Sequence, residues 1–243
     1  MRFKELSPYC ISLLLPLISL PLQAGDWGNS TGWSGQAELG AILTSGNTDS
    51  DSLNARTRIR HERALWRHTL QLEGHLASED GTTTKERYLG AFQSDHKVSD
   101  RDYLFGALRA ERDRFSGYEY QRSLATGYGR RVVDSPQTRL HLEAGAGLRQ
   151  DQPANGDQED EIILRLVGAL DHRISDNTRF TEDLLIQAGE ENTEIESVAA
   201  LRMRINAKFS MRLSLTVKHN TDVPADRRNT DTTTSVNLVY DLW

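Results

Sequence analysis

Residues 232–243 read TTTSVNLVYDLW, from Thr232 to Trp243. Apolar Val236, Leu238, Tyr240 and Leu242 alternate with Ser235, Asn237 and Asp241, and the stretch stops on an aromatic. Alternation with period two puts one set of side chains on each face of a β-strand. A strand at a sheet edge carries a row of unpaired N–H and C=O groups, and closing the sheet on itself removes that edge. The stretch therefore asks for a neighbour. If the neighbour is the first strand of the chain, the sheet is a barrel.

Working back from it, the same alternation recurs. In residues 33–45, Trp33, Ala37, Leu39, Ala41 and Leu43 oppose Ser34, Gln36, Glu38 and Thr44. Gly46-Asn47-Thr48-Asp49 follows as a turn, with Gly and Asn suited to positive φ. Residues 51–61 give the clearest case, with Leu53, Ala55, Thr57 and Ile59 against Asn54, Arg56, Arg58 and Arg60. On a helix those arginines would scatter around the axis; on a strand they form one basic row. Segments 66–76, 84–96, 103–113, 118–132, 138–150, 161–174, 179–189, 193–205 and 207–220 repeat the theme. With the closing stretch this predicts an all-β protein, an antiparallel up-and-down transmembrane β-barrel of about twelve strands.

The composition agrees with that class. The chain has 243 residues, 37% hydrophobic and 26% charged, too polar for a bundle of membrane helices. The long apolar run is Cys10–Leu22, preceded by basic Arg2 and Lys4 and followed by Leu22-Gln23-Ala24. It reads as a secretory signal peptide over residues 1–24, too short and Pro-interrupted to span as a helix. A Gly-rich periplasmic lead-in occupies 25–32, and the barrel occupies 33–243. Cleavage removes Arg2, Lys4 and Glu5, so the formal charge moves from -6 to -7. That mild acidity argues against nucleic acid as a partner. Cys10 is the one cysteine, so the exported chain has neither a disulfide nor a thiolate zinc site.

Three features place the alternating strands in a membrane. The segments are about ten residues or a little more, enough for a tilted strand to cross hydrocarbon. Connections alternate between short ones, such as 62–64 and 175–177, and longer polar ones, such as 78–83, 150–160 and 221–230. With both barrel ends in the periplasm, the short connections fall at the periplasmic rim and the longer ones outside. Aromatics gather near strand ends. Trp33, Trp66, Tyr118, Tyr120, Phe209, Tyr240 and Trp243 are expected to form an interfacial girdle. The expected location is the bacterial outer membrane, with its lipids, lipopolysaccharide and the barrel-assembly machinery as partners.

Several stretches also carry a family resemblance. They are Gly46-Asn47-Thr48, Glu111 to Tyr118 (ERDRFSGY), Gly127-Tyr128-Gly129-Arg130, Leu142 to Gly147 (LEAGAG), Ser175-Asp176-Asn177-Thr178, and Asp231 to Thr234 with Leu238-Val239-Tyr240. In combination they resemble the YdiY-like family of salt-induced outer-membrane proteins, a domain of unknown function. The resemblance implies a β-barrel and brings no catalytic residue with it. Such barrels often end on an in-phase Phe, whereas here Trp243 is one residue out of phase with Tyr240 and Leu242. Its role as an assembly signal is therefore an expectation of its own.

The inward rows carry Arg56, Arg58, Arg60, Arg67, Glu73, Glu111, Glu143, Arg149, Glu161, Arg165, Arg204 and Arg212. Two readings follow. The charges pair across strands and fill a narrow lumen, or the basic row of residues 51–61 lines a conduit that favours anions. No motif calls for a cofactor. His61, His68, His75, His96, His141, His172 and His219 are never two apart, so no strand presents a metal-binding pair. His141 and Glu143 share a face, and a Ser-His-acid set across strands leaves no mark in one sequence. The expected function is a non-enzymatic barrel, structural or weakly conducting, linked by resemblance to salt or envelope stress. The alternative is a barrel-embedded lipid or lipopolysaccharide hydrolase. The acidic stretch 150–160, with Asp151, Asp157, Glu159 and Asp160, reads as a solvated loop.

Overall fold

The structure is a computed structural model describing residues 32–44, 50–154, 156–223 and 228–242. The signal peptide, most of the lead-in, the Gly46–Asp49 turn, Pro224 and Trp243 lie outside the described residues.

Twelve strands run β1 (Gly32–Thr44), β2 (Ser50–Glu62), β3 (Trp66–Glu79), β4 (Thr82–Lys97), β5 (Asp102–Asp113) and β6 (Tyr118–Asp134). They continue as β7 (Thr138–Pro153), β8 (Glu159–Arg173), β9 (Thr178–Ala188), β10 (Thr193–Arg204), β11 (Phe209–Asn220) and β12 (Thr230–Asp241). Each is antiparallel to its sequence neighbour, and β12 returns to β1, so the sheet is a closed barrel. Closure gives every strand a neighbour on both sides, which removes the open sheet edges that an apolar surround does not tolerate.

Alternation decides which side chains face out. Leu39, Leu53, Leu72, Leu104, Leu124, Leu148, Leu164, Leu213 and Leu238 are all exposed on the outer wall. Their neighbours in sequence turn inward and are buried: Glu38, Phe105, Ser123, Arg149, Ile163, Arg212 and Asn237 among them. The inner wall is not wholly polar. Phe105, Ile163 and Val239 are at most 2% exposed and pack beside the charges.

We call the rim where β1 starts and β12 ends the proximal rim, and the opposite one the distal rim. The proximal turns span 63–65, 98–101, 135–137, 174–177 and 205–208. The distal ones span 80–81, 114–117, 154–158, 189–192 and 221–229, besides 45–49. The expected contrast in loop length is therefore mostly absent, because the strands run on where loops were expected. β4, β6 and β7 reach 16, 17 and 16 residues. Between β3 and β4 only Asp80 and Gly81 remain, both at positive φ (48° and 75°), as a tight two-residue hairpin needs. The 150–160 loop shrinks likewise. Asp151 belongs to β7 and is 2% exposed, held by Arg149 and Gln121.

Outward aromatics cover one side of the proximal rim. Trp33 stacks on His61 at 4.3 Å, Trp66 lies 4.7 Å from His96, and Phe209 meets Tyr240 at 5.1 Å. Tyr120 sits outward at the distal rim, where its hydroxyl donates to Gln158. Tyr118 departs from the expected girdle. A register shift between Tyr118 and Tyr120 turns it inward, where it is 3% exposed and donates to the Asp222 carbonyl at 3.0 Å.

The closing seam is short. Among the described residues β1 and β12 share four partners, Gln36↔Asp241 to Leu39↔Leu238, and Leu242 N–H adds a bond to the Gly35 carbonyl at 2.9 Å, while β1 and β2 pair along the whole of β1. Side chains reinforce it. Arg212 of β11 reaches past β12 to Glu38 of β1 at 2.9 Å, and Asn237 adds a bond to the same carboxylate. Arg202 of β10 joins Gln36 of β1 to Asp241 of β12. Breaking a buried ion pair on one side costs about 3–5 kcal/mol. Arg212→Met is therefore expected to lower the temperature at which the folded form disappears on unheated electrophoresis. The exposed Arg114→Met is expected to leave it unchanged.

Candidate functional site in the lumen

The lumen is organised by carboxylates that each hold several cations. Glu111 of β5 receives Lys218 Nζ of β11 at 2.6 Å, Arg87 of β4 at 2.9 Å and Arg109 of its own strand at 2.9 Å. Glu196 of β10 receives Arg109 at 2.7 Å and Arg87 at 3.2 Å. Glu194 takes Lys218 at 3.2 Å and Arg109 at 3.6 Å. Arg87 continues to Glu73 at 3.4 Å, which also pairs with Arg56 at 2.9 Å.

In strand order β5 lies on the opposite wall from β10 and β11. These bonds therefore cross the lumen rather than follow its wall. Glu111, Glu194 and Glu196 bring their carboxylates within 4.8 Å of one another, close enough to hold a metal ion. Arg87, Arg109 and Lys218 already stand among them, so the cluster balances its own charge. Desolvated ions persist only when paired and hydrogen-bonded in this way.

A second group caps the distal half. Arg149 is 2% exposed, pairs with Asp151 at 2.9 Å and with Glu161, and donates to the carbonyls of Gln187 (3.2 Å) and Asn192 (2.6 Å). Asn192 in turn donates to Asn220 at 3.1 Å. One guanidinium thereby ties β7 and β8 to the β9–β10 turn. Gly189 in that turn lies against the Glu161 carboxylate, leaving no room for a Cβ.

The proximal half keeps a cavity of about 280 Å³. Arg67 pairs with Asp95 at 2.6 Å and lies over the Tyr103 ring. Glu143 accepts from Tyr103 (2.8 Å), Gln93 (2.8 Å) and Arg165 (2.7 Å). Arg58 donates to Gln71 at 2.7 Å and sits 3.8 Å from Asp183. Arg60 faces the same cavity, is exposed, and makes no side-chain hydrogen bond or close ion pair among the described residues. Arg204 is placed apart from this lattice, exposed at the proximal rim with its guanidinium on the Asp176 carbonyl.

The inward charges named from sequence thus fall into three groups. Glu73, Glu111 and Arg56 belong to the cross-lumen lattice, Arg149 and Glu161 to the distal cap, and Arg58, Arg60, Arg67, Glu143 and Arg165 to the cavity. Arg212 serves the seam. Arg87, Glu194, Glu196 and Lys218 were not among them, although each sits at an inward position of an alternating strand. His141 also faces the cavity, and Glu143 beside it is fully engaged with other donors. A Ser–His contact does exist elsewhere: Ser52 Oγ and His75 Nε2 are 3.3 Å apart on the inner wall.

Comparison with known proteins matches this chain over residues 37–242 to the family described as "Protein of unknown function, DUF481". The chain belongs to that family. The uncharacterized protein YdiY of Escherichia coli is 29% identical over 211 residues, covering 86% of this chain and 83% of YdiY. Among solved structures, the NanC porin superposes with a TM-score of 0.52 at 10% identity, over 85% of this chain and 98% of the porin. The translocator domain of the autotransporter NalP from Neisseria meningitidis gives 0.46 at 14% identity, over 88% and 89%. The similarity to NanC establishes the fold, that of an outer-membrane porin-like barrel.

The three groups differ in how much their charges contribute. Glu111→Gln leaves three cations without their shared carboxylate, and removing one partner of a buried pair costs about 3–5 kcal/mol. Arg58→Gln touches a half-exposed pair worth about 0–1 kcal/mol. Urea unfolding in detergent is expected to rank the variants in that order, with Arg58→Gln close to the parent protein.

Proposed function

We propose that this family member is a non-enzymatic outer-membrane barrel that resides closed, and that its proximal cavity opens to the periplasm. The observation that carries the reading is the set of ion pairs joining opposite walls, Lys218–Glu111 and Arg109–Glu196 above all. An aqueous pore needs a continuous column of water, and these side chains occupy its axis. Arg58 and Arg60 give the remaining cavity a basic wall suited to small anions. The barrel then acts as a structural component of the envelope with weak conduction at most. A place in salt or envelope stress rests on the family resemblance.

Closure by buried ion pairs suits that setting. At physiological strength salt largely screens exposed charges more than about 8 Å apart, and it reaches buried pairs much less. The lattice is therefore expected to stay shut in concentrated salt, where surface pairs weaken. The hydrolase alternative draws less support. The Ser52–His75 contact faces the lumen rather than the outer wall, where lipid would lie, and no carboxylate hydrogen-bonds to that imidazole among the described residues. The outward rows of leucine support the outer-membrane location, with the barrel-assembly machinery as the partner that inserts it.

Planar-bilayer recording tests the closed state. The parent barrel is expected to show no regular conductance steps in molar potassium chloride. The charge-balanced double variant Arg109→Ala, Glu196→Ala removes both side chains of the crossing pair and is expected to produce small steps. Regular steps from the parent protein would overturn the closed reading. Phospholipid hydrolysis by the purified barrel that vanishes in Ser52→Ala would overturn the non-enzymatic one.

A further inference from the structure

Alternation gives the stretch after Ala110 two faces. Glu111 and Asp113 turn into the lumen and are buried, so Arg112 and Arg114 turn outward. Arg122 of β6, one position beyond Gln121 on the inner wall, shares their face and is exposed. Register pairs Arg122 with Ala110, one turn of the pleat from Arg112. Arg112, Arg114 and Arg122 therefore share the outer wall near the distal rim. Arg114 contacts Glu86 at 3.3 Å, and Arg122 lies over the Tyr120 ring at 4.2 Å. Arg112 has no carboxylate partner among the described residues.

Immediately toward the membrane centre the outer wall has a groove of about 750 Å³. Leu70, Phe92, Leu124 and Ile162 wall it, and Gly90 and Ala110 leave its floor low. Arg122 sits at its lip. On the other lip Asp160 accepts from Gln150 at 3.0 Å, so an anionic headgroup is directed to the β5–β6 side.

We propose that this surface binds one phosphorylated, acylated glycolipid of the outer leaflet, of the lipopolysaccharide class. Arg112 and Arg122 hold a phosphate, and an acyl chain lies along the groove. Guanidinium groups match phosphate oxygens in paired hydrogen bonds, and an unpaired arginine at a lipid boundary is most favourable against such a charge. The apolar floor below it takes a chain rather than a soluble anion. The inference rests on the orientation given under Proposed function, with the distal rim facing outward.

The test uses the full barrel folded in detergent and titrated with diphosphoryl lipid A, observed by native mass spectrometry. One retained lipid A per barrel is expected, displaced by neither phosphatidylglycerol nor dephosphorylated lipid A. Arg112→Gln with Arg122→Gln is expected to weaken retention about thirtyfold, the product of about fivefold for each arginine at a charged lipid surface. Gly90→Val is expected to weaken it with the arginines intact. A Cβ at Gly90 meets only Leu72 at 3.8 Å, so the variant fills the groove without disturbing the wall. Arg130→Gln, which lies toward the proximal rim, serves as the unaffected control. Equal retention by parent and double variant, or displacement by phosphatidylglycerol, would overturn the proposal. The variant Asp157→Cys separates its failure from that of the orientation. Labelling by an impermeant thiol reagent on intact cells shows the distal rim outside, whatever the lipid result.

Discussion

Glu111 is the point on which the interior depends. It faces Lys218, Arg87 and Arg109, and the same cations reach Glu194 and Glu196 on the opposite wall. A carboxylate in a narrow, low-dielectric lumen is tolerated only with cations beside it, and each cation must be shared so that none is stranded. Three carboxylates and three cations meet this condition together, because each cation contacts more than one carboxylate. That shared neutrality lets side chains join opposite walls and leaves a cavity of about 280 Å³ beside them.

The outer wall answers a different solvent. Its leucines are exposed in rows along the strands, the pattern of the outer-membrane barrels whose fold this chain shares. The two walls are made by one alternation, so every second residue serves each. ERDRFSGY shows this in a few residues: Glu111 and Asp113 serve the lumen while Arg112 and Arg114 serve the surface. A shift of one residue would exchange the two sets and destroy both.

Strand number, order and phase were legible because alternation is a property of single strands. The outward residues Val236, Leu238 and Tyr240 of β12 and inward Asn237 follow directly from TTTSVNLVYDLW. What joins across the lumen was not legible. Lys218 and Glu111 are 107 residues apart, and nothing along one strand says which opposite residue a charge will meet. Tyr118 escaped for a local reason, since a bulge shifts phase without a sequence mark. The imidazoles show the same limit. No two histidines are spaced two apart along a strand, yet His61 and His68 are partners in the β2–β3 register.

The distances in sequence also bear on how the barrel forms. Arg87 and Glu196 are 109 residues apart, and Arg212 and Glu38 are 174 apart. Neighbouring hairpins can form with little loop closure, but these pairs form only when the walls have come round. Until then the inward charges remain hydrated, which keeps a chain with 26% charged residues polar before it reaches a bilayer. Closure of β12 on β1 and desolvation of the lattice are consequently one event. The seam, short among the described residues, is reinforced by Arg212 and Arg202, and the lattice behind it forms only if the seam does. A polar interior thus makes closing all-or-none, where an apolar one would have held partly assembled sheets together.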